Sequence, residues 1–334
     1  MIQNSLIKPL KSLVKEEFEV LKTIQDGEKR LVVTGWDMID GHIGGLLPGD
    51  MIIFSALSGV GKSQTLYDIT DNILDTVINE DAWNYVFLDY SFEMKTFNKI
   101  LRYLAKDLNK KKSEILFSKF TDEEKQKVNA YYRSLQDDRR FICQEPISTS
   151  TFYSETKAFC EKNKDKAAIF VSVDHTLLFE GSDKKKVVDS LIESCNKLKL
   201  EFKNIYFIII SQLNRDMLGR INDRDNKAAP LQSDLFASSF IDHISSYNIA
   251  IANPYKLGIN SYMKVNADRY DYLSEFFEGD VDSKNKVSFT ARGNLFYHVL
   301  KARESDYAER DIFVRKMYSQ PTYCETVNND VPLF

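Results

Sequence analysis

Residues 51–63 read Met-Ile-Ile-Phe-Ser-Ala-Leu-Ser-Gly-Val-Gly-Lys-Ser. Met51–Ala56 is a short apolar run suited to a buried strand. From Ala56 to Ser63 the chain then fits the phosphate-binding pattern GxxxxGK[ST] at every defined position but the first, where Ala56 replaces glycine. A helix is expected over 63–79, so strand, glycine loop and helix follow in the order that the pattern needs. Gly59 and Gly61 let the backbone turn its N–H groups inward on phosphates, and the helix adds its positive end. Lys62 is expected to neutralise the β and γ phosphates, and Ser63 to ligate Mg²⁺. Ser58, Gly59, Val60, Gly61, Lys62, Ser63 and Gln64 form the expected nucleotide cradle.

Outward from the loop, strands and helices alternate. Strands are expected at 85–90, 141–144, 168–173 and 205–210, and helices at 94–108, 122–136, 151–163 and 185–202. Such alternation predicts an α/β fold with a parallel sheet covered on both faces. Past residue 245 the pattern is mostly strand (246–252, 262–266, 286–290, 295–301 and 311–318), expected as antiparallel additions at one edge. The polar stretches 214–232 and 271–286 read as mobile loops, and the residues from Glu325 as a tail. Before the core, residues 6–24 are expected as an amphipathic helix, with Leu10, Leu13, Val14, Glu17, Phe18 and Leu21 at helical spacing and one apolar stripe flanked by charges, stopped by Gln25-Asp26-Gly27. That stripe must be buried on its own domain or on a neighbouring subunit.

The formal net charge is −4, so the chain as a whole is not a basic nucleic-acid binder. Local basic groups, or a channel formed by an oligomer, could still hold one. Cys143, Cys160, Cys195 and Cys324 form no CxxC pair, and the histidines show no metal spacing. No apolar run approaches the ~20 residues of a membrane span, and the N-terminus lacks a signal-peptide core. The expected location is the cytoplasm, with no membrane partner.

A magnesium-supporting acid should end another central strand, and Asp174 does so after Ile-Phe-Val-Ser-Val. A general base should lie beyond the strand next to the loop, where Glu93 suits polarising the attacking water. Asp89 competes, but it lies within the strand, where hydrogen bonding inside the sheet is the expected use.

These residues together resemble the C-terminal ATPase domain of DnaB-type replicative helicases, which has the RecA-like fold. Thr34-Gly35-Trp36, Ile39-Asp40 and Gly44-Gly45-Leu46-Leu47-Pro48-Gly49-Asp50 resemble that family's signature before the first core strand. Ser91-Phe92-Glu93-Met94 is similar to its Ser-Leu-Glu-Met, and Val173-Asp174-His175 sits where the family has its magnesium aspartate. Ser211-Gln212-Leu213-Asn214-Arg215 equals its sensor motif, making Gln212 the γ-phosphate sensor. Lys301-Ala302-Arg303 resembles its Lys-Gln-Arg, so Lys301 and Arg303 are expected to reach a neighbour's γ-phosphate. Loop 214–232, where the family contacts DNA, carries Arg215, Arg220, Arg224 and Lys227. After Ser233-Asp234-Leu235 the family has Arg-Glu-Ser-Gly, whereas this chain has Phe236-Ala237-Ser238-Ser239.

The resemblance implies ATP and Mg²⁺ as cofactors, single-stranded DNA as partner, a homo-oligomer in the form of a hexameric ring, and a helicase loader or primase as a further partner. Residues 1–27 correspond to the family's linker helix, 28–324 to its ATPase domain and 325–334 to a C-terminal tail. Nothing here matches the family's N-terminal helical domain, so the expectation is a minimal form. Two other functions stay open: a RecA-like recombination ATPase, and a non-motor ATP-binding assembly protein that has lost its hold on DNA.

Overall fold

The computed structural model describes residues 10–27, 30–220, 229–236, 241, 243–303, 312–318 and 322–324. The expected tail at 325–334 lies outside them. Helix α1 (Leu10–Gln25) and the short helix α2 (Asp37–Ile43) precede strand β1 (Met51–Ala56) and helix α3 (Lys62–Leu74). Strand β2 (Tyr85–Ser91) leads into α4 (Thr96–Asp107), α5 (Lys112–Phe117) and α6 (Asp122–Ser134), then strand β3 (Arg140–Cys143). Alternation continues through α7 (Thr149–Lys162), β4 (Ala168–Asp174), α8 (Lys184–Glu201) and β5 (Ile205–Gln212). The remainder is mostly strand: β6 (Tyr247–Ala252), β7 (Ser261–Asn266), β8 (Phe277–Glu278), β9 (Lys286–Thr290), β10 (Asn294–Ala302), β11 (Ile312–Tyr318) and β12 (Thr322–Cys324).

Among the described residues the main sheet runs β12-β11-β10-β6-β1-β5-β4-β2-β3. From β6 to β3 every pairing is parallel, and β10, β11 and β12 add antiparallel at the β6 side. Strand β1 stands in the middle, where the chain order switches direction, and ligands of open α/β sheets collect at that point. Alternate residues of β1 feed two cores. Ile52, Phe54 and Ala56 pack with Leu66, Ile69 and Ile73 of α3. Met51 and Ile53 pack with α7 and α8, which supply Phe152, Val188, Leu191 and Ile192. Cys160 and Cys195 are buried there as free thiols.

Three expectations need correction. The late strands do not all join one edge: β7, β9 and β8 form a separate antiparallel sheet. It closes over Phe296, Ile312 and Val314 of the main sheet through Tyr262, Val287 and Phe289. Nor is 271–286 a loose loop, because Leu273 and Phe276 drop into that third core and anchor it. Helix α3 also ends at Leu74, short of residue 79. The Asp75 carboxylate there accepts the Val77 N–H at 2.7 Å, a turn that competes with the helix.

The segment before β1 is a plug. Asp40 accepts the Thr34 N–H, the Thr34 hydroxyl and the Gly35 N–H at 2.8–2.9 Å. That clamp sets Trp36 edge-on against Tyr297 and Phe313, with the Arg315 guanidinium over its ring. Helix α1 is different: Leu10, Val14, Phe18 and Leu21 of its stripe remain exposed.

Candidate nucleotide-binding site

Ala56 ends β1 between Gln212 of β5 and Ile251 of β6. It keeps an ordinary negative-φ backbone, so this position does not require a glycine. The turn is made further on, with Gly59 at φ 73° and Gly61 at φ 116°, a region that favours glycine. Gly61 caps α3, and Lys62 and Ser63 open it, so the helix N-terminus faces the loop. The Lys62 ammonium is buried and donates to the Ala56 and Leu57 carbonyls, both at 3.2 Å. Gln64 turns along α3, its side-chain amide donating to Asp68 at 2.8 Å.

Asp174 ends β4 beside Ser91 of β2 and is fully buried. Burial first, then the Asp89 and Glu93 carboxylates, raise its pKa to about 6, while the Ser63 hydroxyl and Lys99 pull it down. Ser63 makes no hydrogen bond of ordinary geometry to it, and neither Asp174 oxygen has a partner. A carboxylate with two orphaned oxygens beside a serine hydroxyl fits Mg²⁺, which takes few protein oxygens and completes its shell with phosphates and water. Among the described residues no cluster of three or more His, Cys, Asp or Glu offers an all-protein metal cage.

Burial lowers the Lys62 pKa, and Glu93 and Asp174 oppose that shift, so the three groups share one field. Glu93 is exposed just past β2. The sequence reading puts its strand next to the loop strand, and the structure corrects this: β5 and β4 stand between them. Glu93 reaches the site because β2 pairs with β4, which carries Asp174. Asp89 hydrogen-bonds within the sheet, as expected. It accepts the Ser172 hydroxyl of β4 at 2.7 Å and the Lys99 ammonium at 2.8 Å.

Gln212 ends β5 directly beside Ala56, and its carbonyl accepts the Phe236 N–H at 3.2 Å. The loop after it is closed by a Leu213–Leu235 bridge and by the Asn214 N–H on the Asp234 carbonyl at 2.7 Å. Arg220 clasps both oxygens of the buried Asp234, with Nη1 donating to Oδ1 at 2.7 Å. Arg215 is exposed and, with Leu57 and Ser58, lines a cavity of about 250 Å³. Arg224, Lys227 and Ala237 lie outside the described residues. Phe236 packs against the α7–α8 core.

Lys301 and Arg303 sit at the other end of the sheet. Strand β10 runs antiparallel to β6, so Arg303 meets the start of β6, its N–H donating to the Ser246 carbonyl at 2.9 Å. Ser246 in turn pairs with Met51, the first residue of β1. The length of a six-residue strand, roughly 20 Å, separates Arg303 from its own phosphate loop.

Sequence reasoning missed Lys256. Its ammonium donates to the Gly59 carbonyl at 2.8 Å. The two residues are 197 positions apart, and the sole local signal is that Lys256 follows the end of a strand flanking β1.

Comparison with known proteins gives a consistent picture. A family model described as the DnaB-like helicase C terminal domain matches residues 32–254. The replicative DNA helicase DnaB of Geobacillus stearothermophilus is 25 % identical over 243 residues, covering 70 % of this chain and 50 % of the relative. The replicative DNA helicase DnaC of Bacillus subtilis (strain 168) is 23 % identical over 247 residues, covering 71 % and 51 %. The chain thus spans about half the length of the curated relatives it matches. Among solved structures, one described as an ATPase domain superposes with a TM-score of 0.67 at 16 % identity, covering 93 % of this chain and 97 % of that one. A DnaB-like replicative helicase, described together with its interactions with primase, superposes at 0.62 and 16 % identity, covering 95 % and 66 %. These superpositions carry the RecA-like fold.

Proposed function

This chain belongs to the DnaB-like helicase C-terminal domain family, and we propose that it works there as an ATP-driven motor subunit on single-stranded DNA. The observation that carries the reading is the convergence of Lys62, Ser63, Asp174 and Glu93 at the tip of the central strands, with Arg303 at the opposite end of the sheet. One end can bind a nucleotide; the other can complete a neighbour's site in a ring, expected to be a hexamer.

The loop N–H groups and Lys62 hold the β and γ phosphates. Ser63 and Asp174 would hold Mg²⁺, which when bound screens phosphate charge and orients the γ-phosphoryl group. Glu93 accepts hydrogen bonds from the attacking water and orients it. Gln212, bonded through its backbone to Phe236, senses the γ-phosphate and passes its state to loop 214–232. Arg215, Arg224 and Lys227 then hold DNA phosphates without reading sequence, while Arg220 braces the loop through Asp234. A loader or a primase is a further proposed partner, and the cytoplasm the proposed location. Among the described residues no helix is long and apolar enough to cross a membrane.

A forked-DNA unwinding assay with Mg-ATP tests this, with Lys62→Ala as the control. ATP-dependent unwinding that Lys62→Ala abolishes is expected; no unwinding and no DNA-stimulated hydrolysis overturns the motor reading. The second reading, an ATP-binding assembly protein without a hold on DNA, is favoured by Phe236, which packs inward where the family offers arginine. It predicts nucleotide binding with no effect of DNA on hydrolysis.

A further inference from the structure

Lys256 approaches the phosphate loop from the side away from Asp174. Strand β6 pairs parallel with β1, Ile251 beside Ala56. Beyond it the chain makes a single turn, Pro254–Leu257. The Asn253 side chain caps that turn by accepting the Lys256 N–H at 3.1 Å, and Gly258, at φ 80°, ends it. The turn aims the Lys256 side chain back across the sheet end, where its ammonium donates to the Gly59 carbonyl at 2.8 Å. The approach is close: a Cβ added at Gly59 would stand 2.6 Å from that nitrogen. Lys256 lies past the stretch 32–254 that matches the family model.

The peptide joining Gly59 to Val60 is trans, so its C=O and N–H point in opposite directions. With the Gly59 carbonyl turned out toward Lys256, the Val60 N–H is turned the other way. A cation on the carbonyl polarises the whole amide and strengthens its N–H as a donor. We propose that Lys256 is a positioning residue of the phosphate loop, pinning the Gly59–Val60 peptide from outside so that the loop's donors are ordered for the phosphates of a nucleoside di- or triphosphate. This rests on the nucleotide-binding reading above and deepens it. The pin acts on the loop itself, so it serves diphosphate and triphosphate alike.

Equilibrium binding of fluorescent ADP and ATP analogues with Mg²⁺ to the full chain tests it, comparing wild type with Lys62→Ala, Lys256→Met and Lys256→Arg. Lys256→Met keeps the aliphatic stem and removes the charge. It is expected to bind both nucleotides about tenfold more weakly, the ~1.4 kcal/mol of one charge-assisted hydrogen bond. Lys256→Arg is expected to restore affinity to within about twofold, because the guanidinium still donates to a carbonyl. A merely structural role would instead appear in the melting temperature of the unliganded protein, which Lys256→Met should leave in place, since the side chain is exposed. Should the methionine variant melt early, Lys256→Gln is measured in its place with the same expected loss. Wild-type affinity in the uncharged variant, or an arginine variant as weak as the methionine one, overturns the pin. Wild-type binding that Lys62→Ala leaves untouched overturns the nucleotide reading itself, and the pin with it.

Discussion

At Asp174 a carboxylate is buried with both oxygens unpartnered, and the energetic consequence has a definite sign. Its native pKa, about 6, lies above the ordinary 3.8, so the folded protein holds that proton more tightly than the unfolded chain does. The resulting stabilisation is fully present below about pH 4 and is lost as pH rises through about 6. At neutral pH the ionised group then costs about 3 kcal/mol when no cation is bound. Asp174→Asn should therefore melt higher than wild type at pH 8 without nucleotide or metal, and the difference should shrink toward pH 4. Magnesium-dependent nucleotide binding by wild type should weaken as pH falls below about 6, where the carboxylate takes up its proton. Melting curves and a binding titration across that range check both.

Single elements explain which expectations survive in the structure. Every strand expected from apolar runs forms within a residue or two, most plainly the central parallel strands β1, β4 and β5, which are buried on both faces and whose sequences show it. Helices α2 and α5, of seven and six residues, were missed because they are too short for a 3.6-residue period to emerge. The separate β7-β9-β8 sheet was misassigned because apolar patterning reveals a strand but not its partner. The strand–loop–helix shape of the candidate phosphate loop was legible because its residues are contiguous, and the strand-end place of Asp174 because an apolar run leads to it. Lys256, and the Asp89–Ser172–Lys99 network as a whole, depend on side chains brought together by the fold. Loop 214–232 shows the same limit at Arg220, an arginine that the sequence offers to DNA and the structure spends on buried Asp234. Arg220→Ala should lower stability by about 1–3 kcal/mol, since it removes the charge partner of a buried carboxylate and leaves it the Leu231 N–H, and denaturant unfolding reads that loss. A residue that serves DNA alone would leave unfolding unchanged.

Two features of the whole molecule bear on assembly, although within one copy the Arg303 guanidinium already donates to the His243 carbonyl. The stripe of α1 stays exposed on Leu10, Val14, Phe18 and Leu21, and Arg303 stands at the end of the sheet remote from its own phosphate loop. Both suit a chain whose partner is another copy, with α1 docked on a neighbour and Arg303 pointed at the neighbour's nucleotide. Removing residues 1–25 should weaken the ring, seen as a shift to smaller species in sedimentation; a truncated chain that assembles fully contradicts the docking role. The central claim is that each site is shared between two subunits. Its most direct measurement is ATP binding and ATP hydrolysis by Arg303→Ala, side by side with wild type. The account predicts unchanged ATP affinity with hydrolysis reduced by about a thousandfold or more, the contribution of an arginine supplied in trans. Hydrolysis at the wild-type rate by Arg303→Ala would contradict it.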